Sequence, residues 1–241
     1  MNKLLLPILI ILGLPLVFQS TFTEILKLKI FDAFVQTPEP SGYFTILNIT
    51  EEDIDAEGGW PIPRQRLGNI HAELIEKGAL GVGWVISFPH PDRFGGDRFF
   101  AESLKYGTSI LASFEYPNQI YPKTVGTVIK GPDVGGMLAK GVVQNTHSLR
   151  NDYIQEGISA APTDLDNLVR RIPLLFKTPD GYVSSFGTEV LKSLAGAKTY
   201  IIKTNELGIE EITVQGLPPV KTDSLGRKWI SWVNTPETNL Q

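Results

Sequence analysis

The run LLLPILIILGLPLVF, from Leu4 to Phe18, carries no polar side chain and follows a single Lys3. A positive start and an apolar stretch at an N-terminus form the pattern of a secretory signal or a signal-anchor. Pro7, Gly13 and Pro15 would weaken a helix buried in a water-soluble core, so the membrane reading is preferred. A full span needs about 20 residues, and Gln19 to Phe22 complete that length with weakly polar residues near the interface. An A-x-A-like cleavage site is missing, since Phe18 and Ser20 stand where two small residues would. An uncleaved anchor over residues 1–22 is expected, with Lys3 cytoplasmic and everything after Phe22 on the far side of the membrane.

In TEILKLKIFDAF, Ile25, Leu26, Lys29, Ile30 and Phe34 keep helical spacing. A juxtamembrane stalk helix is expected over 23–40, ended by Pro38 and Pro40. No second long apolar run follows before Gln241, which gives one span and one extracytoplasmic domain, 41–241. With 42% hydrophobic and 20% charged residues, such a domain holds a packed core without disulfides. The chain has no cysteine, which excludes thiol nucleophiles, iron–sulfur clusters and thiolate zinc sites. A net charge of −4 lacks the basic footprint of a nucleic-acid binder.

Within the domain, YFTILNIT (43–50) reads as a mostly buried strand, followed by an acidic loop, EEDIDAEGGW, and the turn WPIPR. A helix from Arg64 to Lys77 puts Leu67, Ile70, Leu74 and Ile75 on one face and stops at Gly78. ALGVGWVISF (79–88) reads as a central strand covered on both faces. A helix from Asp97 to Tyr106, with Phe99, Phe100 and Leu104 inward, and the strand SILASFEY (109–116) follow. Two right-handed crossovers then make a parallel βαβαβ first half. The second half holds short, mostly antiparallel strands and one helix, 184–195, with Phe186, Val190, Leu191 and Leu194 as its inner face. The expected fold is α/β: a mixed sheet with helices on its faces, preceded by one membrane helix.

Chemistry is sparse. His71, His90 and His147 have no zinc-type spacing and read as structural, although His90 beside Asp92 is the pair to watch for a metal. DLDN (164–167) imitates a calcium loop, but Val169 and Leu175 replace its glycine and closing glutamate, so it reads as an Asx turn, as PDG (179–181) reads as a turn. GISAA (157–161) is one residue short of a nucleophile elbow, and no histidine follows Ser159. Gly81 and Gly83 lie inside an apolar strand and make no phosphate loop. No catalytic group, metal or cofactor is assigned. An enzyme built on Asp92 and Asp97 is the weakest of the readings considered.

Four stretches carry a resemblance to a known family: the stalk ending FDAF with Asp32, the turn GGWPIPR, the segment EKGALGVGWVISF with the Asp97 helix, and TDLDNLVRRIPLLF. Together they resemble the type-two CHASE domain (cyclase/histidine kinase-associated sensing extracellular), over nearly the whole chain from about Phe22 to Asn234. Three positions depart from that family's pattern: Val85 follows Trp84 where the family has aspartate, Asn167 replaces a glycine, and NITEED replaces I-D-x-x-S.

The resemblance implies a membrane-anchored extracytoplasmic sensor, single-pass in the inner membrane with its domain on the periplasmic or extracellular side. It also implies a small-molecule or peptide ligand, a cyclase or kinase as output in a longer chain or a partner, and a homodimer as a possible assembly. The alternative is an anchored envelope structural or interaction protein without signalling. Trp60 and Pro61 to Pro63 fix the entry of the Arg64 helix. Arg64 pairs with Asp53, Asp55 or Glu57, or binds an anionic ligand. Arg170 and Arg171 are expected on opposite sides of a strand, one in a salt bridge to Asp164 or Asp166 and the other solvated. Trp60, Arg64, Arg170 and Arg171 are the candidate ligand-binding residues.

Overall fold

TSILASFE, apolar enough to be covered on both faces, becomes the middle strand β3 (Thr108–Glu115), with Ile110, Leu111 and Ala112 buried. In the computed structural model, which describes residues 21–232 and 238–239, β3 pairs in parallel with β2 (Gly81–Trp84) on one side and β6 (Ile154–Ser159) on the other. β5 (Val142–Val143) joins its far end antiparallel. The expected membrane span falls largely on residues 1–20, outside the described residues. Among the described residues no helix is long and apolar enough to cross a membrane.

Helices cover both faces of this sheet. On one face lie α3 (Arg64–Glu76), followed by Gly78 at positive φ, and α4 (Asp97–Ser103). Leu67, Phe100 and Leu104 pack there with Trp84 and Leu111, and Trp84 meets Phe100 edge-on at 5.4 Å. On the other face α5 (Phe186–Leu194) rests on glycines. A Cβ on Gly83 would come within 2.8 Å of the Phe186 ring, and one on Gly157 within 2.6 Å of the Phe186 Cα.

A second sheet, ordered β12 (Val220–Lys221), β11 (Gly208–Val214), β10 (Thr199–Asn205) and β4 (Gly126–Lys130), is antiparallel except for its β10–β4 pair. Among the described residues there are also three two-stranded ribbons: β1 (Leu47–Asn48) with β14 (Thr238–Asn239), β7 (Arg171–Pro173) with β13 (Arg227–Trp229), and β8 (Leu175–Thr178) with β9 (Gly181–Ser184) across the expected Pro179–Gly181 turn. The architecture is mixed α/β, and both main sheets combine parallel and antiparallel pairs.

Four expectations are corrected. The parallel core begins at Gly81, because of Tyr43–Thr50 only Leu47 and Asn48 pair, and Tyr43, Phe44 and Ile46 are exposed. Apolar content makes a buried strand only where a partner strand is offered. For the same reason the 79–88 run supplies an edge strand, since among the described residues β2 pairs with β3 alone, and Leu80 and Val85 are exposed. The acidic loop folds in part as α2 (Glu51–Ala56), started by a capping box in which Asp53 N–H donates to Thr50 Oγ1 and Thr50 N–H to Asp53 Oδ2, at 3.2 and 2.7 Å. Finally, Phe99, Leu191 and Leu194 are half exposed, while α5 buries Thr188, Glu189 and Lys192. That helix is held between two sheets. Phe186 faces the glycines of the first, and Glu189 faces Tyr200 of the second, taking hydrogen bonds from Ser184 Oγ and Tyr200 Oη and an ion pair from Lys192 at 2.6 Å.

Candidate functional site

The stretch TDLDNLVRR folds back on itself. Asn167 N–H donates to Asp164 O and Asp164 N–H to Leu168 O, while Asn167 takes a left-handed φ of 62° and Leu168 N–H reaches Asp166 Oδ1. The turn brings both aspartates against the arginines that follow. Arg170, only 4% exposed, donates through Nη1 and Nη2 to the two oxygens of Asp166 at 2.7 Å each. Its Nε and Nη2 then fork onto Asp32 of helix α1 (Thr21–Phe34), at 2.6 and 2.7 Å. Asp164 stands 3.5 Å from Nη1.

Around this clamp Leu28 of α1 is buried and Phe31 lies against Trp229, with ring centroids 4.5 Å apart. Lys29 approaches Asp166 at 3.6 Å. Arg171 binds Asp164, reaches Asp223 at 3.6 Å and stacks its guanidinium over Trp229 at 4.9 Å. Arg227 completes the cluster on Asp223 at 2.8 Å. Hydrogen bonds from Arg170 hold the carboxyls of Asp32 and Asp166 below the usual carboxylate range, and the same bonds raise Arg170. A cavity of about 470 Å³ remains between α1 and the domain, lined by Leu28, Phe31, Arg171 and Trp229 among others.

The expectation for the arginine pair is half corrected. One arginine of the pair, Arg170, is buried on Asp166, one of the two expected partners, but Arg171, expected to be solvated, turns into the same cluster. Strand β7 starts only at Arg171, so the alternation of a strand does not govern the two.

Trp60 and Arg64 lie elsewhere, and neither lines either of the two cavities described. Trp60 is exposed beside the proline turn, with Ile62 buried next to it. Arg64 is buried and donates to the carboxylate of Asp97 and the carbonyl of His90, with its guanidinium 5.1 Å from the Phe88 ring centroid. Its expected acidic partners are replaced by Asp97, and Glu57 goes to Arg66 at 2.6 Å. Asp92 takes the N–H groups of Arg64 and Gly96, so both Asp92 and Asp97 fasten the loop to α3. Buried His71 contacts the Tyr106 carbonyl at 2.9 Å. Among the described residues no three His, Asp or Glu side chains converge on a metal site.

A second cavity, of about 360 Å³, lies at the edge of β6 facing the start of β4 and α5. Its charged residues, Arg150, Glu156, Glu189 and Lys192 among them, were not singled out from the sequence. Glu189 and Lys192 sit on a helix whose amphipathic pattern predicts them on its outer, polar side, so nothing in the spacing marks them.

The family model of the CHASE2 domain matches residues 8–239, nearly the whole chain. No curated protein matches, and no solved structure does. CHASE2 domains are extracytoplasmic sensory domains of signalling receptors. The stalk aspartate, the proline turn and the Asp–Arg stretch that carried the resemblance all lie within that match, and the chain belongs to the CHASE2 domain family.

Proposed function

We propose that this chain is the membrane-anchored extracytoplasmic sensor of a signal-transduction receptor, in which ligand occupancy of the domain is passed through α1 toward the membrane. The observation that carries this reading is the Arg170–Asp32 fork: a buried guanidinium of the domain grips the helix that follows the apolar Leu4–Phe18 run. A bidentate contact fixes orientation as well as distance, so a movement of the Asp164–Arg170 turn is felt by the helix. The domain itself reads the ligand and performs no reaction. Its output is a cyclase or kinase module, in the same receptor or a partner.

Anchoring and sidedness are tested by two parallel fusions after residue 40, one to alkaline phosphatase and one to a green fluorescent protein. Phosphatase activity with no fluorescence, in a membrane fraction resistant to carbonate wash, is the expected result. Fluorescence from a freely soluble fusion would remove the anchored reading. The coupling of the domain to α1 is tested by spin labels at Ala33→Cys and Lys228→Cys, clean in a chain without cysteine. Arg170→Ala is expected to broaden the distance between them, and an unchanged distance would remove the coupling.

A further inference from the structure

We propose that the cavity at the β6 edge is a binding site for a free, polar α-amino acid. The charges that line it are balanced: Lys123, Arg150 and Lys192 against Asp152, Glu156 and Glu189. Two pairs are already made, Lys123 with Asp152 at 3.3 Å and Lys192 with Glu189 at 2.6 Å. Arg150 and Glu156 are left, and among the described residues neither has an ion-pair partner.

Glu156 is held by its neighbours in the fold, whereas Arg150 is exposed and makes one side-chain hydrogen bond. Buried Asn145 donates its Nδ2 to Glu156 Oε1 at 2.6 Å while its Oδ1 accepts the Phe88 N–H at 3.0 Å, and Ser113 Oγ lies 3.4 Å from the same Glu156 oxygen. Glu156 Oε2 accepts no hydrogen bond from the described residues. Arg150 spends Nη1 on Gln144 Oε1 at 2.8 Å and keeps its other nitrogens.

One unpaired carboxylate and one unpaired guanidinium in a cavity of this size ask for a ligand with an ammonium and a carboxylate of its own. A simple anion would leave Glu156 unpaired, and a simple cation would leave Arg150 unpaired, so each is selected against. No aromatic ring lines the cavity, and the remaining amide ends of Asn151 and Gln155, Nδ2 and Oε1, suit a polar side chain. Strand β6 leads through residues 160–163 into the turn that holds Arg170. That the bound ligand is the trigger rests on the sensor reading; the binding itself does not.

The full chain in lipid nanodiscs is melted with each of the twenty free amino acids, and with the amine and the acid that each lack one of its charges. At least one polar amino acid should raise the melting temperature by roughly 5 °C or more at about a hundredfold excess over Kd. Neither single-charge analogue should do so. Glu156→Gln, which keeps the acceptor for Asn145, and Arg150→Gln should each weaken binding at least tenfold. Asp133→Asn, whose partner Lys177 lies outside the cavity, should not. Absence of any shift, equal shifts from the analogues, or unchanged affinity in both cavity variants would overturn the site. If an amino acid binds but the Ala33–Lys228 label distance stays fixed, the site stands and the sensor reading falls.

Discussion

Arg170 meets three carboxylates with one guanidinium, and this arrangement decides what its replacement does. Removing it leaves Asp32, Asp164 and Asp166 facing one another. Exposed pairs are worth up to about 1 kcal/mol and breaking a buried pair costs about 3–5 kcal/mol. With Asp32 at the solvent edge, Arg170→Ala is expected to cost about 2–3 kcal/mol, or roughly 5–10 °C in melting temperature for a chain of this length. Arg170→Lys keeps the charge but cannot fork onto Asp32 and Asp166 together, so about half the loss should remain. A double-mutant cycle with Asp32→Asn checks the contact, and strictly additive effects would argue that it is absent in solution. That one of the two arginines in this cluster meets Asp164 or Asp166 is legible from their closeness in the chain, but which of them pair is not. The Asp32 half, 138 residues away, became visible only with the fold, apart from the family position that the resemblance gave to Asp32.

Among the elements, α5 shows most clearly where pattern and packing part. Its position in the chain and its length were legible from periodicity, but the buried side was not, because a helix between two sheets has no single inner face. The cause lies in glycines that looked unremarkable in sequence. Gly83 and Gly157 give Phe186 its seat, and neither has a positive φ, so the effect of a substitution there is steric. An added methyl at Gly83 meets the end of the Phe186 ring, which can turn aside. At Gly157 it meets Phe186 backbone, which cannot move without lifting the helix. Gly157→Ala is therefore expected to cost more than Gly83→Ala, within the roughly 1–3 kcal/mol of overpacked cores. Urea unfolding of the two variants measures the order, and equal losses would contradict this seat. Strand β4 is hard to read from the sequence for a related reason. It lies at an edge of its sheet and alternates exposed with half-buried residues, which leaves little apolar signal to read.

At the scale of the whole molecule, the two halves should respond to acid in a fixed order. In the first half, His71 is buried between the Tyr106 carbonyl and the Trp84 indole, whose Nε1–H points at Nδ1 across 3.4 Å. A neutral ring with its proton on Nε2 satisfies both partners, whereas a protonated ring sets two donors against each other. Burial thus depresses the His71 pKa below its ordinary 6.5, with the Tyr106 contact opposing. An unfolded chain binds the proton first, so the stability that His71 contributes is full above about pH 6.5 and falls as the pH drops below it. The slope is at most about 1.4 kcal/mol per pH unit. The clamp obeys the same sign in a different window. Asp32 and Asp166 are depressed from an ordinary 3.8, so their contribution is full above that value and is lost only as the pH falls through their lower folded values. Between pH 7 and 5, unfolding free energy should therefore decline while the Ala33–Lys228 distance stays constant, and the helix should release only below about pH 4. His71→Gln should flatten the first slope and leave the second transition in place. Release of α1 already at pH 5, or a slope unchanged by His71→Gln, would show that the acid response of this domain is set by other groups. Because α1 leads back to the apolar N-terminal run, the order also matters for the proposed sensor. A clamp that holds through mild acidification leaves ligand occupancy, rather than ambient pH, as the variable α1 can report.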